Sequence, residues 1–188
     1  MRRIERENTG IIRPGQDLVV AGYAGLSGTI EIANKKKEEL YQWFRKDYIE
    51  GILEQEGKEP TYDFDALKQW GATEWELSGE GGIFKTLWDL SGAYMTGIRF
   101  YLRRIPIKQE TIELCERYDL NPYRLFSKSC LLLTADNGAD LLEAMKETGI
   151  HGAVIGKVTE GIGRIIDHGD GVGYLDRPTK DERYKVME

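Results

Sequence analysis

Leu18-Val-Val-Ala-Gly22-Tyr-Ala-Gly25-Leu-Ser-Gly28-Thr29 decides the fold. Four apolar residues in a row, preceded by the turn signal Arg13-Pro14-Gly15, read as a strand buried on both faces. The glycines that follow sit at GxxGxxG spacing, not the GxGxxG of a dinucleotide fingerprint, and no second strand with a ribose-binding acid follows about 20 residues on. A Rossmann site is therefore disfavoured. Two readings of Gly22, Gly25 and Gly28 remain open. They can leave backbone N–H groups free for an anion near a helix N-terminus, or they can serve only tight turning and close helix–sheet packing.

Outward from this stretch the pattern alternates between helix and strand. Ile30, Ala33, Leu40, Phe44, Tyr48 and Ile52 recur at helical intervals, predicting a long helix from about Thr29 to Gln55, broken once near Gly51. Asp63 or Asp65 can cap a short helix through Leu67 to Trp70. Ala72–Leu77 alternates as a half-buried strand. Ile83, Leu87, Leu90 and Tyr94 then mark one face of a helix that Gly97 ends. Ile98, Phe100 and Leu102 alternate with Arg99, Tyr101 and Arg103 in a strand with one dry and one wet face. A helix over Glu110–Tyr118, a buried strand over Cys130–Thr134, a helix over Ala139–Lys146 and strands over Ala153–Val158 and Arg164–Asp167 complete the pattern, and the charged tail after Arg177-Pro178 is partly helical. Five or so strands interspersed with helices predict an α/β protein, a three-layer α/β/α sandwich around a mixed sheet. Residues 1–12 read as an N-terminal arm and 13–188 as a single domain.

Composition narrows the function classes. The 188 residues carry 26 Lys+Arg against 32 Asp+Glu, a formal net charge of -6, which opposes the phosphate-neutralising surface that nucleic-acid affinity requires. No apolar run approaches the ~18 residues of a membrane span, and the first residues have no apolar core of the secretory kind. Cys115 and Cys130, with no CxxC spacing, fit reduced thiols in a cytoplasm. His151 and His168 are the only histidines, so a three-histidine metal site is excluded. No GxSxG, HExxH or Walker pattern occurs. Asp167-His-Gly-Asp170-Gly171 reads as a hairpin turn, and Lys35-Lys36-Lys37 followed by Glu38-Glu39 as a solvated helix face.

Gly79-Glu80-Gly81-Gly82 is the stronger candidate for binding a phosphate. A glycine cluster directly before an amphipathic helix exposes unpaired N–H groups where the helix dipole favours negative charge. Glu80 opposes this, because its carboxylate can itself cap the helix and would repel a phosphate unless a metal or a lysine intervened. Lys85, one turn on, can play that part or simply lie on the surface.

Several pieces in order resemble the C-terminal domain of the aminoimidazole ribonucleotide (AIR) synthase-related superfamily, closest in wording to its hydrogenase maturation factor branch. They are Arg13 to Thr29, Ile105-Pro-Ile-Lys-Gln-Glu-Thr111, Asn121-Pro-Tyr-Arg-Leu125, Gly152-Ala-Val-Ile-Gly-Lys-Val-Thr159 and Asp181-Glu182. The resemblance implies a layered α/β/α domain that packs, in the enzymes, against an N-terminal domain and helps close an ATP site with Mg. It also directs attention to Ser127-Lys128-Ser129, where the family favours a serine–glycine pair, so Ser127 and Ser129 join the candidate ligand residues. Two departures stand out. Glu76-Leu-Ser-Gly79-Glu-Gly-Gly82 keeps the glycine pair but lacks the acid–base and hydroxyl residues that usually precede it, and the ending Lys185-Val-Met-Glu188 lacks the branch's cysteine tail. The expectation is a non-catalytic module for a phosphate or nucleotide ligand or for a protein. The alternative is one half of a split ATP-dependent enzyme completed by a separate nucleotide-binding domain. A homodimer is expected under either.

Overall fold

A computed structural model describes residues 10–187; residues 1–9 of the expected arm lie outside the described residues. The central strands are the most apolar stretches of the sequence. Strand β1 (Asp17–Ala21) and strand β4 (Leu131–Ala135) are buried almost throughout, because each is flanked on both edges and covered on both faces. Seven strands form one sheet in the order β2-β4-β1-β5-β3-β6-β7, where β2 is Ala72–Leu77, β3 Gly97–Tyr101, β5 Gly152–Thr159, β6 Arg164–Asp167 and β7 Val172–Tyr174. The sheet is mixed, since β3 and β6 run parallel while the other pairs run antiparallel.

Side-chain alternation along β1 builds the two outer layers. Leu18 and Val20, with Leu132 of β4, face Ile83, Leu87 and Leu90 of helix α5 (Gly82–Ala93). Val19 and Ala21, with Leu131 and Leu133, face the other way, toward Leu67 of helix α4 (Phe64–Gln69) and Leu141 and Met145 of helix α7 (Gly138–Glu147). The expected α/β/α layering follows from these two contacts. Capping fixes the entries to α4 and α7: Asp63 accepts the N–H groups of Asp65 and Ala66, and Asn137 those of Ala139 and Asp140.

A third apolar cluster joins helices α1 (Leu26–Lys35), α3 (Lys46–Leu53), α6 (Gln109–Tyr118) and α8 (Tyr184–Met187). Here the structure corrects the single long helix expected over Thr29–Gln55. Helix α1 stops at Lys35, α2 covers only Lys37–Leu40, and the chain is extended at Arg45 before α3; Gly51 lies inside α3. The cause is tertiary. A straight helix would hold Ile52 roughly 30 Å from Ile30, whereas the folded-back path buries Ile30, Leu40, Ile49 and Ile52 in one cluster. The sheet also has seven strands where about five were expected. The additional β7 has three residues and follows the Asp167–Gly171 hairpin turn, closed by the His168 N–H donating to the Gly171 carbonyl. Helix α5 ends at Ala93, and Gly97 opens β3 instead of terminating the helix.

Among the described residues no helix is long and apolar enough to cross a membrane. Gly10 and Ile11 run along β2: the Ile11 N–H donates to the Thr73 carbonyl and the Gly10 N–H to a Glu74 carboxylate oxygen.

Candidate functional site

Between β2 and α5 the chain must reverse in four residues, and glycine makes that possible. Gly81 and Gly82 adopt φ of +84° and +64°, left-handed values that L side chains adopt only at a cost. Gly82 is also pressed against the Asn121–Leu125 segment: a Cβ there would lie 2.5 Å from the Tyr123 carbonyl oxygen. The Gly79 carbonyl accepts the N–H groups of Gly82 and Ser127, and the Thr86 hydroxyl, on the first turns of α5, lies 2.9 Å from the Ser78 hydroxyl. The turn is therefore pinned from both sides before any ligand is considered.

An open cleft of about 360 Å³ lies against this turn, lined by Gly79, Gly81, Glu80, Lys85, Glu76 and Asp181 among others. Its far wall is the segment Thr179–Asp181. Asp181 is only 2% exposed, and its Oδ2 accepts the Gly81 N–H at 2.7 Å. A carboxylate thus already sits at the N-terminus of α5, the place where the helix dipole favours an anion. Lys85 forms an ion pair with Asp89, four residues on. The lining holds four carboxylates, from Glu76, Glu80, Asp89 and Asp181, against the ammonium groups of Lys85 and Lys180. A bare phosphate entering this cleft meets net negative charge. A divalent cation on the phosphate, or a basic group from another surface, offsets part of that repulsion.

The remaining sequence-predicted residues lie elsewhere. The N–H of Gly22 donates to the His151 carbonyl, that of Gly28 to the Phe126 carbonyl, and that of Gly25 to Ser127 Oγ at 2.7 Å. Cβ atoms at Gly25 and Gly28 would come within 3 Å of the Pro122 carbonyl oxygen and of Leu125 respectively. These glycines let α1 close on the Pro122–Phe126 stretch, and their N–H groups are engaged by the chain itself. Ser127 acts as a bolt between the two glycine turns: its hydroxyl accepts from Gly25 and donates to the Leu125 carbonyl, and its N–H donates to Gly79. Ser129 contributes its carbonyl to the Tyr62 hydroxyl, while its own Oγ is buried without a hydrogen-bond partner. None of these five residues lines the cleft beside α5.

Glu76, Leu77, Thr86, Asp89 and the segment Thr179–Asp181 are the lining residues that sequence reasoning did not single out as ligands. The signal for Asp181 was its place in the Asp181-Glu182 piece of the family resemblance, which says nothing about a partner 100 residues earlier. Elsewhere, His151 stacks on Tyr23 with ring centroids 5.0 Å apart. Burial pushes the thiols of Cys115 and Cys130 up to about 12, so neither is a nucleophile at neutral pH. Among the described residues no group of three or more His, Cys, Asp or Glu could by itself hold a metal ion.

A mixed seven-stranded sheet covered by α5 on one face and α4 and α7 on the other is the fold of the AIR synthase-related C-terminal domain, as found in the hydrogenase maturation protein HypE and in ThiL. No family model matches the chain. Among solved structures, Escherichia coli HypE superposes with a TM-score of 0.71 at 17% identity, covering 94% of this chain and 54% of HypE. AaThiL complexed with AMPPCP and TMP superposes with a TM-score of 0.61 at 20% identity, covering 91% of this chain and 52% of that one. In sequence, the phosphoribosylformylglycinamidine synthase subunit PurL of Campylobacter curvus is 25% identical over 182 residues, 85% of this chain and 21% of PurL. The chain thus spans about half the length of these solved relatives and about a fifth of the PurL subunit.

Proposed function

We propose that this chain supplies one wall of a composite nucleotide site: the cleft at Gly79–Gly82 and Lys85 receives the phosphates of an ATP-like ligand as its magnesium complex, and the isolated chain binds without turnover. The observation that carries this reading is the glycine turn at the N-terminus of a twelve-residue helix opening into a cleft, in a fold shared with AaThiL complexed with AMPPCP and TMP. The excess of carboxylates in the lining favours a phosphate accompanied by Mg over a bare one. In this role Lys85 exchanges Asp89 for a phosphate oxygen and the Gly81 N–H exchanges Asp181 for another, while Gly82, outside the lining, keeps its N–H on the Gly79 carbonyl. Isothermal titration of the purified chain with MgATP is expected to show saturable binding. Lys85→Ala should weaken it at least about ten-fold, the loss of one charge-assisted hydrogen bond. Binding that ignores Lys85, or hydrolysis of ATP by the chain alone, would sink the proposal.

A second reading is favoured by one observation, the length of the relatives: the aligned solved structures are about twice as long as this chain. On that reading a separate nucleotide-binding domain closes the site and the pair is an ATP-dependent enzyme. A second copy of this chain is the other candidate partner. Sedimentation of the chain alone and mixed with a nucleotide-binding domain, read together with ATP turnover in the mixture, separates the two, because only the second reading gives both a complex and turnover.

A further inference from the structure

The two edges of the sheet are finished differently. Along β2 the chain itself lies against the outer side, where the Ile11 N–H donates to the Thr73 carbonyl and the Gly10 N–H to Glu74. Strand β7 pairs only with β6, antiparallel, with Tyr174 opposite Ile165, Gly173 opposite Ile166 and Val172 opposite Asp167. At the ends of this ladder the Leu175 N–H donates to the Arg164 carbonyl and the His168 N–H to the Gly171 carbonyl. Bonded and non-bonded pairs alternate along an antiparallel ladder, so Gly171, Gly173 and Leu175 turn their backbone groups toward β6. Val172 and Tyr174 therefore turn both N–H and C=O outward, and among the described residues no other backbone group pairs with them. Edge strands are commonly guarded by charge, proline or a bulge. Val172-Gly173-Tyr174 has neither charge nor proline, and its two side chains are 64% and 76% exposed. The charged groups in the same face of the sheet are already matched within the chain, Arg99 with Asp167 at 2.9 Å and Lys157 with Asp17 at 2.8 Å. On a protein of net charge -6, a face with no surplus charge meets its own copy without the repulsion that two acidic surfaces would feel.

We propose that β7 pairs antiparallel with β7 of a second copy of this chain, about a two-fold axis at Gly173, so that one sheet runs through a homodimer. The outward groups lie symmetrically on either side of Gly173, which is what an isologous contact requires. Val172 of each copy then faces Tyr174 of the other, and each such pair exchanges two N–H···O bonds. The side chains meet as an aromatic and a β-branched residue directly across two strands, a favourable pair. Pairing stops there, because the next outward residues, Asp170 and Asp176, would face each other with like charge. Asp176 is 85% exposed at its side chain. The contact is short, at the low end of specific interfaces, and added salt strengthens it by screening those carboxylates. It is independent of the cleft, whose lining includes neither Val172 nor Tyr174.

The test is sedimentation of the full chain over a concentration series. The wild type is expected to form a reversible dimer with a Kd on the order of 0.1 mM, as so small a contact allows. Val172→Pro removes an outward N–H that the ladder to β6 does not use, and should leave a monomer whose thermal midpoint in dilute solution is unchanged. Tyr174→Lys sets two ammonium groups near the axis and should do the same, which keeps the test decisive if the proline variant fails to fold. Amide exchange at Val172 and Tyr174 of the wild type should slow as concentration rises. A wild type that remains monomeric at about 1 mM overturns the proposal. So does a dimer whose affinity is unchanged in either folded variant, which would put the contact on another surface.

Discussion

Gly82 carries two constraints that no other residue type meets together, a φ of +64° and a backbone neighbour 2.5 Å from where a Cβ would stand. Gly82→Ala is therefore expected to destabilise the fold by at least about 1 kcal/mol, visible as a lower urea midpoint with unchanged slope. An unchanged midpoint would mean that the turn relaxes freely and does not hold α5 in place. At this scale the sequence was informative where a residue has one physical use. Asp63 could be read as a cap because an acidic side chain before an apolar-periodic run has a nearby N–H to accept. Gly22, Gly25 and Gly28 could not be resolved between anion binding and close packing, because that choice depends on the His151 and Phe126 carbonyls and the Ser127 hydroxyl, all more than 95 residues away. Asp181 was visible only as part of the Asp181-Glu182 piece of the resemblance, and its bond to the Gly81 N–H, 100 residues away, was not legible for the same reason.

Among the elements, β1 is fixed at its first residue. The Asp17 carboxylate accepts the Lys157 ammonium of β5 at 2.8 Å and the Gly138 N–H at the start of α7 at 2.9 Å. Partial burial pushes its pKa upward, but the Lys157 hydrogen bond, the Gly138 N–H and the Lys157 charge together outweigh it and hold the carboxyl below 3.8. A carboxyl lowered in the folded state adds stability that is present above its unfolded pKa and lost as pH falls through the folded one. The wild type should therefore lose stability on acidification from pH 5 to below 3.8, and Asp17→Asn should lose less over that interval, measured as the shift in thermal midpoint. Equal losses would show that Asp17 is not a linked group. Strands and short helices were legible because their periodicity is local, as at Ala72–Leu77 and Gln109–Tyr118. The α1–α3 break was not, since Trp43-Phe44-Arg45 carries no glycine or proline and the fold-back is imposed by what Ile49 and Ile52 pack against.

For the molecule as a whole, the layered fold places one charged, open cleft at the entry to α5 and leaves the first glycine turn as a packing joint. Its net charge of -6 and the acidic lining of the cleft together repel free anions. The most direct test of this account is an amide NMR titration of the full chain with MgATP. Chemical-shift changes confined to Gly79–Gly82, Lys85 and Thr179–Asp181, with Gly22, Gly25 and Gly28 unmoved, are predicted; saturable shifts centred on Gly22–Gly28, or none at either turn at millimolar ligand, would contradict it.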